Sequence, residues 1–544
     1  MEKRPYNIFF DLHTVSGIVL SVLLFVIFFA GSFSFFRDEI VNWERNETVA
    51  SKGAIDINVD AALDTIAKKY TLYGREVSIH KGYDERRVRI NVSASIDTTN
   101  KEAGAFLYMD TKTFQSHDYI SSYTLGEFLY RLHFFAQIPY PVGYYLSGFT
   151  ALFLFFIVLT GILIHWKKII SNFYLFRPFA KLKTIWTDAH TALGTIGLPF
   201  QVVYAITGAF FMINIFLVIP DVLFLYDGDR EKIYEDLGYA HPSFTFEHQK
   251  LNAPVTVNAM VAEVEHKWNN FHVTEVHIMH YGDKAMHVIV SGELERATRF
   301  TGTGEVTYRA STGEIVHQKD PYEPTTYLDG VKNILYRLHF ADYGGYGLKV
   351  ASFLLGLLSC FVIISGILIW LEARNKKNVP EKKKRFNNKV SNIYLAICLA
   401  MYPVTALAFI VVRFLPADLG TSRQPILYSV YFGSWLLLSI FLSWKQSNFY
   451  INKYTLLSGA ILGMVIPVVN GVSTGNWIWY TMTHRHFDIF IVDALWIGLS
   501  LISFYTVYRL KSVKPSPGEE DPSAEDTIEP PAKKSPRVVT ETIL

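Results

Sequence analysis

Histidines at the edges of apolar runs are the first residues to account for, because ionisable groups at a membrane are rare and need a reason. Four of the seventeen histidines stand in such places and fall into matched surroundings. His13 lies in DLHTVSG (11–17) and His190 in DAHTALG (188–194), while His133 and His339 lie in identical LYRLHF segments at 129–134 and 335–340. An imidazole in an apolar setting can relay protons or bind a metal. Haem iron in particular offers one axial position on each face of a flat ring. Two matched pairs of histidines are therefore a donor set for two haems, His13 with His190 and His133 with His339. Proton relay is the chief alternative use.

The elements that carry these residues are apolar helices. Half of the 544 residues are hydrophobic and 15% are aromatic, and the mean hydropathy is positive. The apolar residues gather in runs near the roughly 20 residues needed to cross a bilayer. Eight spans are expected, at roughly 14–36, 144–166, 188–219, 347–371, 391–414, 425–444, 455–473 and 487–509. Basic residues cluster at alternate ends: Lys3 and Arg4; Lys167, Lys168, Arg177, Lys181 and Lys183; Arg374, Lys376, Lys377, Lys382, Lys383, Lys384 and Arg385; Arg509, Lys511 and Lys514. The positive-inside rule makes those ends and both termini cytoplasmic. The long segments at about 37–140 and 220–340 then lie outside.

The chain is internally duplicated. Gly31 and Gly208 keep the offset of 177 that separates Asp11 from Asp188, and TGILI at 160–164 matches SGILI at 365–369. Each copy reads span, outer domain, span, so the copies point the same way and should be related by a pseudo-two-fold axis along the membrane normal. That axis would bring matched histidines face to face, one pair near the inner surface and one near the outer. Gly17 and Gly194, four residues after their histidines, share a helical face with them and would let a macrocycle approach the backbone. Plain helix–helix contact is the other use of such small residues. Arg131 and Arg337 suit two-point binding of haem propionates, or anchoring to headgroups. Asp11 and Asp188 are off the histidine face and read as helix starts or headgroup contacts.

The outer segments look like small α+β domains. VDAALDTIAKKY is followed by strand-like VSIHKG, RVRINVSA and AFLYMDTKT, and VNAMVAEVEHKW by VTEVHIMH, AMHVIVSG and GEVTYRASTGEIVHQ, giving helix and three strands in each copy. The layout expected is span 1 at 1–36, an outer domain at 37–140, span 2 at 141–170, and a cytoplasmic link with span 3 at 171–219. A second outer domain follows at 220–340, then span 4 at 341–375, an unrepeated four-span bundle at 386–512, and a tail at 513–544 too polar to fold. Only Cys360 and Cys398 are present, which excludes disulfide scaffolds, iron–sulfur clusters and thiolate zinc sites. No Cys-x-x-Cys-His occurs, so haem would be non-covalent, of the b type. No Gly-rich dinucleotide fingerprint occurs either, so electrons would come from a quinol or a separate cytoplasmic donor.

Other histidines are secondary candidates. His165 ends span two where the second copy has Trp370; it is an alternative inner ligand or an interfacial residue beside Trp166. His484 and His486, in THRHFD, lie on the outer side as candidate substrate contacts. His272, His277, His280 and His287 alternate along presumed strands, with no Asp or Glu at ligand spacing to make a metal site.

The order DLHTVSG, LYRLHF, TGILIHW, DAHTALG, LYRLHF, SGILIW over about residues 5–375 resembles the PepSY-associated transmembrane family of bacterial iron-regulated inner-membrane proteins, which includes siderophore-iron reductases. The resemblance implies a polytopic, mainly α-helical fold of duplicated two-span units, each with a PepSY-like periplasmic domain. It implies two b haems on His13, His133, His190 and His339, and reduction of ferric iron or a ferric siderophore in the periplasm. Lipid is the surrounding partner and no nucleic acid is implied. Two other classes remain: a proton-coupled transporter, for which only Pro199, Pro403 and Pro467 interrupt the spans, and a non-catalytic regulator of a periplasmic partner.

Overall fold

A computed structural model describes residues 3–49, 52–95, 101–167, 169–174, 177, 180, 182–229, 232–233, 244–252, 254–416 and 419–510. The tail at 513–544 lies outside these residues, as do Lys168, Lys181, Lys511 and Lys514. Among the described residues, eight helices are long and apolar enough to cross a membrane. The first, α1 (Lys3–Ser34), has 32 residues. At about 1.5 Å per residue it runs to about 48 Å, well beyond a hydrocarbon core of about 30 Å, so it projects from the bilayer.

After α1 come α2 (Arg37–Arg45), α3 (Val59–Ala67), strands β1 (Val77–His80), β2 (Arg87–Val92), β3 (Ala105–Asp110) and β4 (Ser116–His117), then α4 (Leu125–Leu132) and the second span α5 (Val142–His165). A short α6 (Ile169–Tyr174) leads to the third span, α7 (Leu182–Ile213), and to α8 (Ile215–Phe224). The apolar run expected to end near 219 is thus divided at Asn214, because hydropathy records composition and not the direction of a helix axis. The second copy continues with α9 (Val257–Lys267), strands β5 (Phe271–Met279), β6 (His287–Leu294), β7 (Thr303–Arg309) and β8 (Glu314–Lys319), α10 (Tyr327–Phe340) and the fourth span α11 (Gly345–Arg374).

The four spans of the repeat close a ring: α1 packs on α5 and α11, and α7 packs on the same two. This places α1 diagonal to α7, as the pseudo-two-fold requires. Small residues allow the close contacts. A Cβ on Gly356 would come within 3.5 Å of the Phe28 carbonyl, and one on Gly148 would stand 2.5 Å from Ile213 Cγ2.

The two outer segments do not form separate domains. Their strands make one eight-stranded sheet in the order β4-β3-β2-β1-β5-β6-β7-β8. The halves join where β1 pairs antiparallel with β5, Val77 opposite Ile278 and His80 opposite Glu275. One face carries the shared core: Val77, Ile79, Ile90, Val276, Ile278 and Val290 under Leu63 and Ile66 of α3 and Val261 and Val264 of α9. Each half has a fourth strand absent from the sequence expectation. The segment read as one strand, GEVTYRASTGEIVHQ, is a hairpin of β7 and β8 around Gly313, whose φ of +72° needs glycine. Every residue of β8 is exposed, so no alternation marks it.

The remaining spans, α12 (Glu381–Val412), α13 (Arg423–Trp444), α14 (Asn448–Thr474) and, after the short α15 (Ile478–Thr483), α16 (Phe487–Arg509), form the appended bundle. It leans on the first copy. Phe128 of α4 packs against Tyr428, Tyr431 and Phe432 of α13, and Trp43 Nε1 donates to Asp493 Oδ1 of α16 at 2.9 Å.

The sheet is tied to α2 and α4 of the first copy by buried charge. Arg37 reaches Glu85 at 2.8 Å, Asp38 at 2.9 Å and Glu127 at 3.1 Å, with Tyr83 stacked 3.6 Å from its guanidinium carbon. Removing the cation leaves buried carboxylates unpaired, which costs about 3–5 kcal/mol. The variant Arg37→Met should therefore unfold at clearly lower temperature in detergent, whereas an unchanged midpoint would show that Arg37 is replaceable.

Candidate functional site

The ring of spans brings the four histidines together in pairs. His13 of α1 and His190 of α7 face each other with ring centres 6.3 Å apart and planes at 81°. His133, which caps α4, faces His339 of α10 at 6.1 Å and 45°. His133 touches α1 at Ile27 and Gly31. At about 1.5 Å per helical residue, that contact lies about 24 Å along α1 from His13. The near pair is on the side of the sheet and the far pair on the opposite side.

Hydrogen bonds fix the protonation of each ring. His13 Nδ1 lies 2.9 Å from the Ile157 carbonyl and 3.3 Å from Thr160 Oγ1. His190 Nδ1 lies 3.0 Å from both the Val362 carbonyl and Ser365 Oγ. His133 Nδ1 lies 2.8 Å from the Ile27 carbonyl. A carbonyl only accepts, so Nδ1 carries the hydrogen and Nε2 of the neutral ring is bare. His339 reaches the same state by another route. Its Nδ1 is 2.8 Å from Thr207 Oγ1, and that hydroxyl gives its own proton to the Val203 carbonyl at 2.7 Å. No hydrogen bond to any of the four Nε2 atoms is found among the described residues. A histidine whose Nδ1–H is held by the protein and whose Nε2 is free is oriented as a metal ligand.

Glycines make three of these contacts possible. In each, the histidine donates to the carbonyl of residue i while its ring covers a glycine at i+4. A Cβ on Gly31 would stand 2.6 Å from His133 Nδ1, on Gly161 3.2 Å from His13 Cε1, and on Gly366 3.5 Å from His190 Cε1. Gly161 and Gly366 were not singled out by sequence, although they are the glycines of the matched TGILI and SGILI. Gly31 thus seats an imidazole. The fourth place departs from the rule, since a Cβ on Gly208 would meet Ala151 and no histidine.

The spacing decides what the pairs can hold. A metal–imidazole bond of about 2 Å, with about 1 Å more from nitrogen to ring centre, sets two rings on one metal about 6 Å apart. A direct N–H···N bond of about 2.9 Å would bring the centres to about 5 Å and would need a proton on one Nε2. Two imidazoles are too few for a four-coordinate zinc site. No group of three or more His, Cys, Asp or Glu able to hold a metal is found among the described residues. A metal that brings its other ligands with it, as haem iron does, fits the donor set.

The other sequence candidates are placed as follows. Gly17 has open space where a Cβ would stand, and Gly194 has only Val362 Cγ1 at 3.9 Å, so both leave room beside the far pair. Arg131 donates to Glu127 at 2.7 Å, and Arg337 is paired with Glu293 and Asp342. A propionate would have to compete with these carboxylates. Burial alone would raise the Glu127 carboxyl, but Arg37 and Arg131 beside it hold it below the usual range. His165 stands close enough to His13 and His190 to interact electrostatically with each. His484 and His486 are 6.1 Å apart on the sheet side, away from the four, with His484 stacked on Tyr480. On the sheet, burial and the neighbouring Arg89 push His80 down to about 4.

Together these features define a multi-pass helical membrane protein with a duplicated two-span unit, a shared extramembrane sheet and two diagonal histidine pairs. Residues 10–373 match the family described as the PepSY-associated TM region, and the chain belongs to that family. The match takes in α1 to α11 with both pairs, and leaves the appended bundle outside. A search of curated proteins gave no match.

Proposed function

We propose that this protein carries electrons across the bacterial inner membrane and reduces ferric iron or a ferric siderophore in the periplasm, for iron uptake. The observation that carries the reading is the common tautomer of four histidines set in two opposed pairs at metal-sharing distance. His13 and His190 would hold one b haem, and His133 with His339 the other. When bound, these groups supply one-electron carriers at two depths of the membrane.

The chain does the rest. The Ile157, Val362 and Ile27 carbonyls and the Thr207 hydroxyl hold the imidazoles in the ligating orientation. Between the pairs aromatic rings form a chain, with Phe28 against Phe200 and Phe200 against Tyr204, which in turn touches His339. Buried polar side chains are interspersed there, Gln201 donating to Ser359 at 3.3 Å. The basic far-side segments support a cytoplasmic far side, which puts the sheet, read as paired PepSY-like domains, in the periplasm above the near pair. A quinol or a cytoplasmic protein would donate electrons at the far pair.

Vesicles containing the purified protein test this, with a menaquinol analogue in the bilayer, ferric citrate outside and an impermeant ferrous chelator. Ferrous iron should form outside, and His13→Ala or His339→Ala should stop it. Equal rates with wild type, variants and protein-free vesicles would overturn the proposal.

A further inference from the structure

The duplication is obeyed at three histidines and broken at the fourth. His13, His190 and His133 each donate Nδ1–H to a main-chain carbonyl four residues before a glycine. By the repeat offset, His339 should donate to the carbonyl of Tyr204, over Gly208. It donates instead to the side chain of Thr207 at 2.8 Å, while Tyr204 turns its hydroxyl to the His339 carbonyl at 3.0 Å. The first copy has Ala30 at the position of Thr207, so this contact has no counterpart there. The Thr207 hydroxyl is also committed, since its proton goes to the Val203 carbonyl.

We propose that Thr207 is a positioning residue whose hydroxyl, taking the place of the carbonyl that serves the other three rings, leaves the near haem at a higher reduction potential than the far haem, so that electrons settle on the side of the sheet. The inference rests on the haem reading above. An amide carbonyl carries more negative charge than a hydroxyl oxygen and polarises an imidazole N–H more strongly. A strongly polarised N–H makes Nε2 more basic, which favours the more charged ferric state. Both far-pair rings have carbonyl acceptors and share them with hydroxyls. The near pair has one carbonyl and one hydroxyl, so His339 is the weakest donor of the four. The bias of electron flow would thus come from a hydroxyl standing at His339 where the other three rings have a carbonyl.

The test is a potentiometric titration of the haem-loaded protein, followed by visible spectra. The wild type should show two midpoints, and a His13→Ala background, keeping the near haem alone, should retain the higher one. Thr207→Val, which keeps shape and removes the acceptor, should raise the higher midpoint and leave the lower one in place. Thr207→Ser, which restores the hydroxyl, should return it to the wild-type value. Two bound haems whose midpoints Thr207→Val leaves unmoved, lowers or shifts equally would overturn this inference and spare the proposed function. A protein that takes up no haem would overturn both.

Discussion

Replacing His13 or His190 by alanine is expected to empty the far haem position, and replacing His133 or His339 the near one, each variant keeping the other haem. The haem-to-protein ratio should fall by about half in every single variant. In the proposed arrangement each histidine would supply one of the two imidazole ligands, and its loss would leave a bare Nε2 opposite a void where two rings now stand 6.3 or 6.1 Å apart. Among the described residues, one further imidazole stands near the far pair. His165 lies within electrostatic reach of His13 and His190, so the decisive comparison is with His165→Ala. That variant should keep both haems. Loss of one haem in His165→Ala together with full retention in His13→Ala would reassign the far ligand.

Alanine at the three glycines beneath the imidazoles should act in a graded order. Gly31→Ala has the largest expected effect: its Cβ would lie 2.6 Å from His133 Nδ1, a separation that forces the ring off the Ile27 carbonyl and away from His339. The near haem should be lost almost as completely as in His133→Ala, with the far haem intact. Gly161→Ala, at 3.2 Å from His13, asks the ring to give by a few tenths of an ångström, and should weaken the far haem without abolishing it. Gly366→Ala, at 3.5 Å from His190, makes an ordinary contact and should leave both haems bound. Haem content of the three variants measures the order. Equal tolerance of all three would show that these rings are not seated as described.

Much of this site was legible because duplication repeats residue types at fixed spacing. The histidine pairs, the four spans of the repeat and the diagonal placing of α1 and α7 follow from DLHTVSG, DAHTALG and the two LYRLHF segments. Gly161 and Gly366 were also available, in the matched TGILI and SGILI, but a glycine in an apolar helix reads first as a helix contact. What the pattern could not show is long-range partnering. The seam between β1 and β5 joins residues about two hundred apart, and an alternating strand does not name its neighbour. Glu127 as partner of Arg131 is one helical turn away and could be read locally. Glu293 as partner of Arg337 comes from the sheet and could not. Thr207 is visible only as a break in the repeat, where Ala30 stands in the first copy. Its meaning emerges once His339 is seen to donate to it.

The measurement that bears most directly on the central claim is haem stoichiometry of the wild-type protein, expressed with ample haem and purified in detergent. Oxidised and dithionite-reduced visible spectra, with haem quantified against protein, should give about two b haems per chain, both six-coordinate. A colourless protein under those conditions would contradict the account, and the four histidines would then need another use.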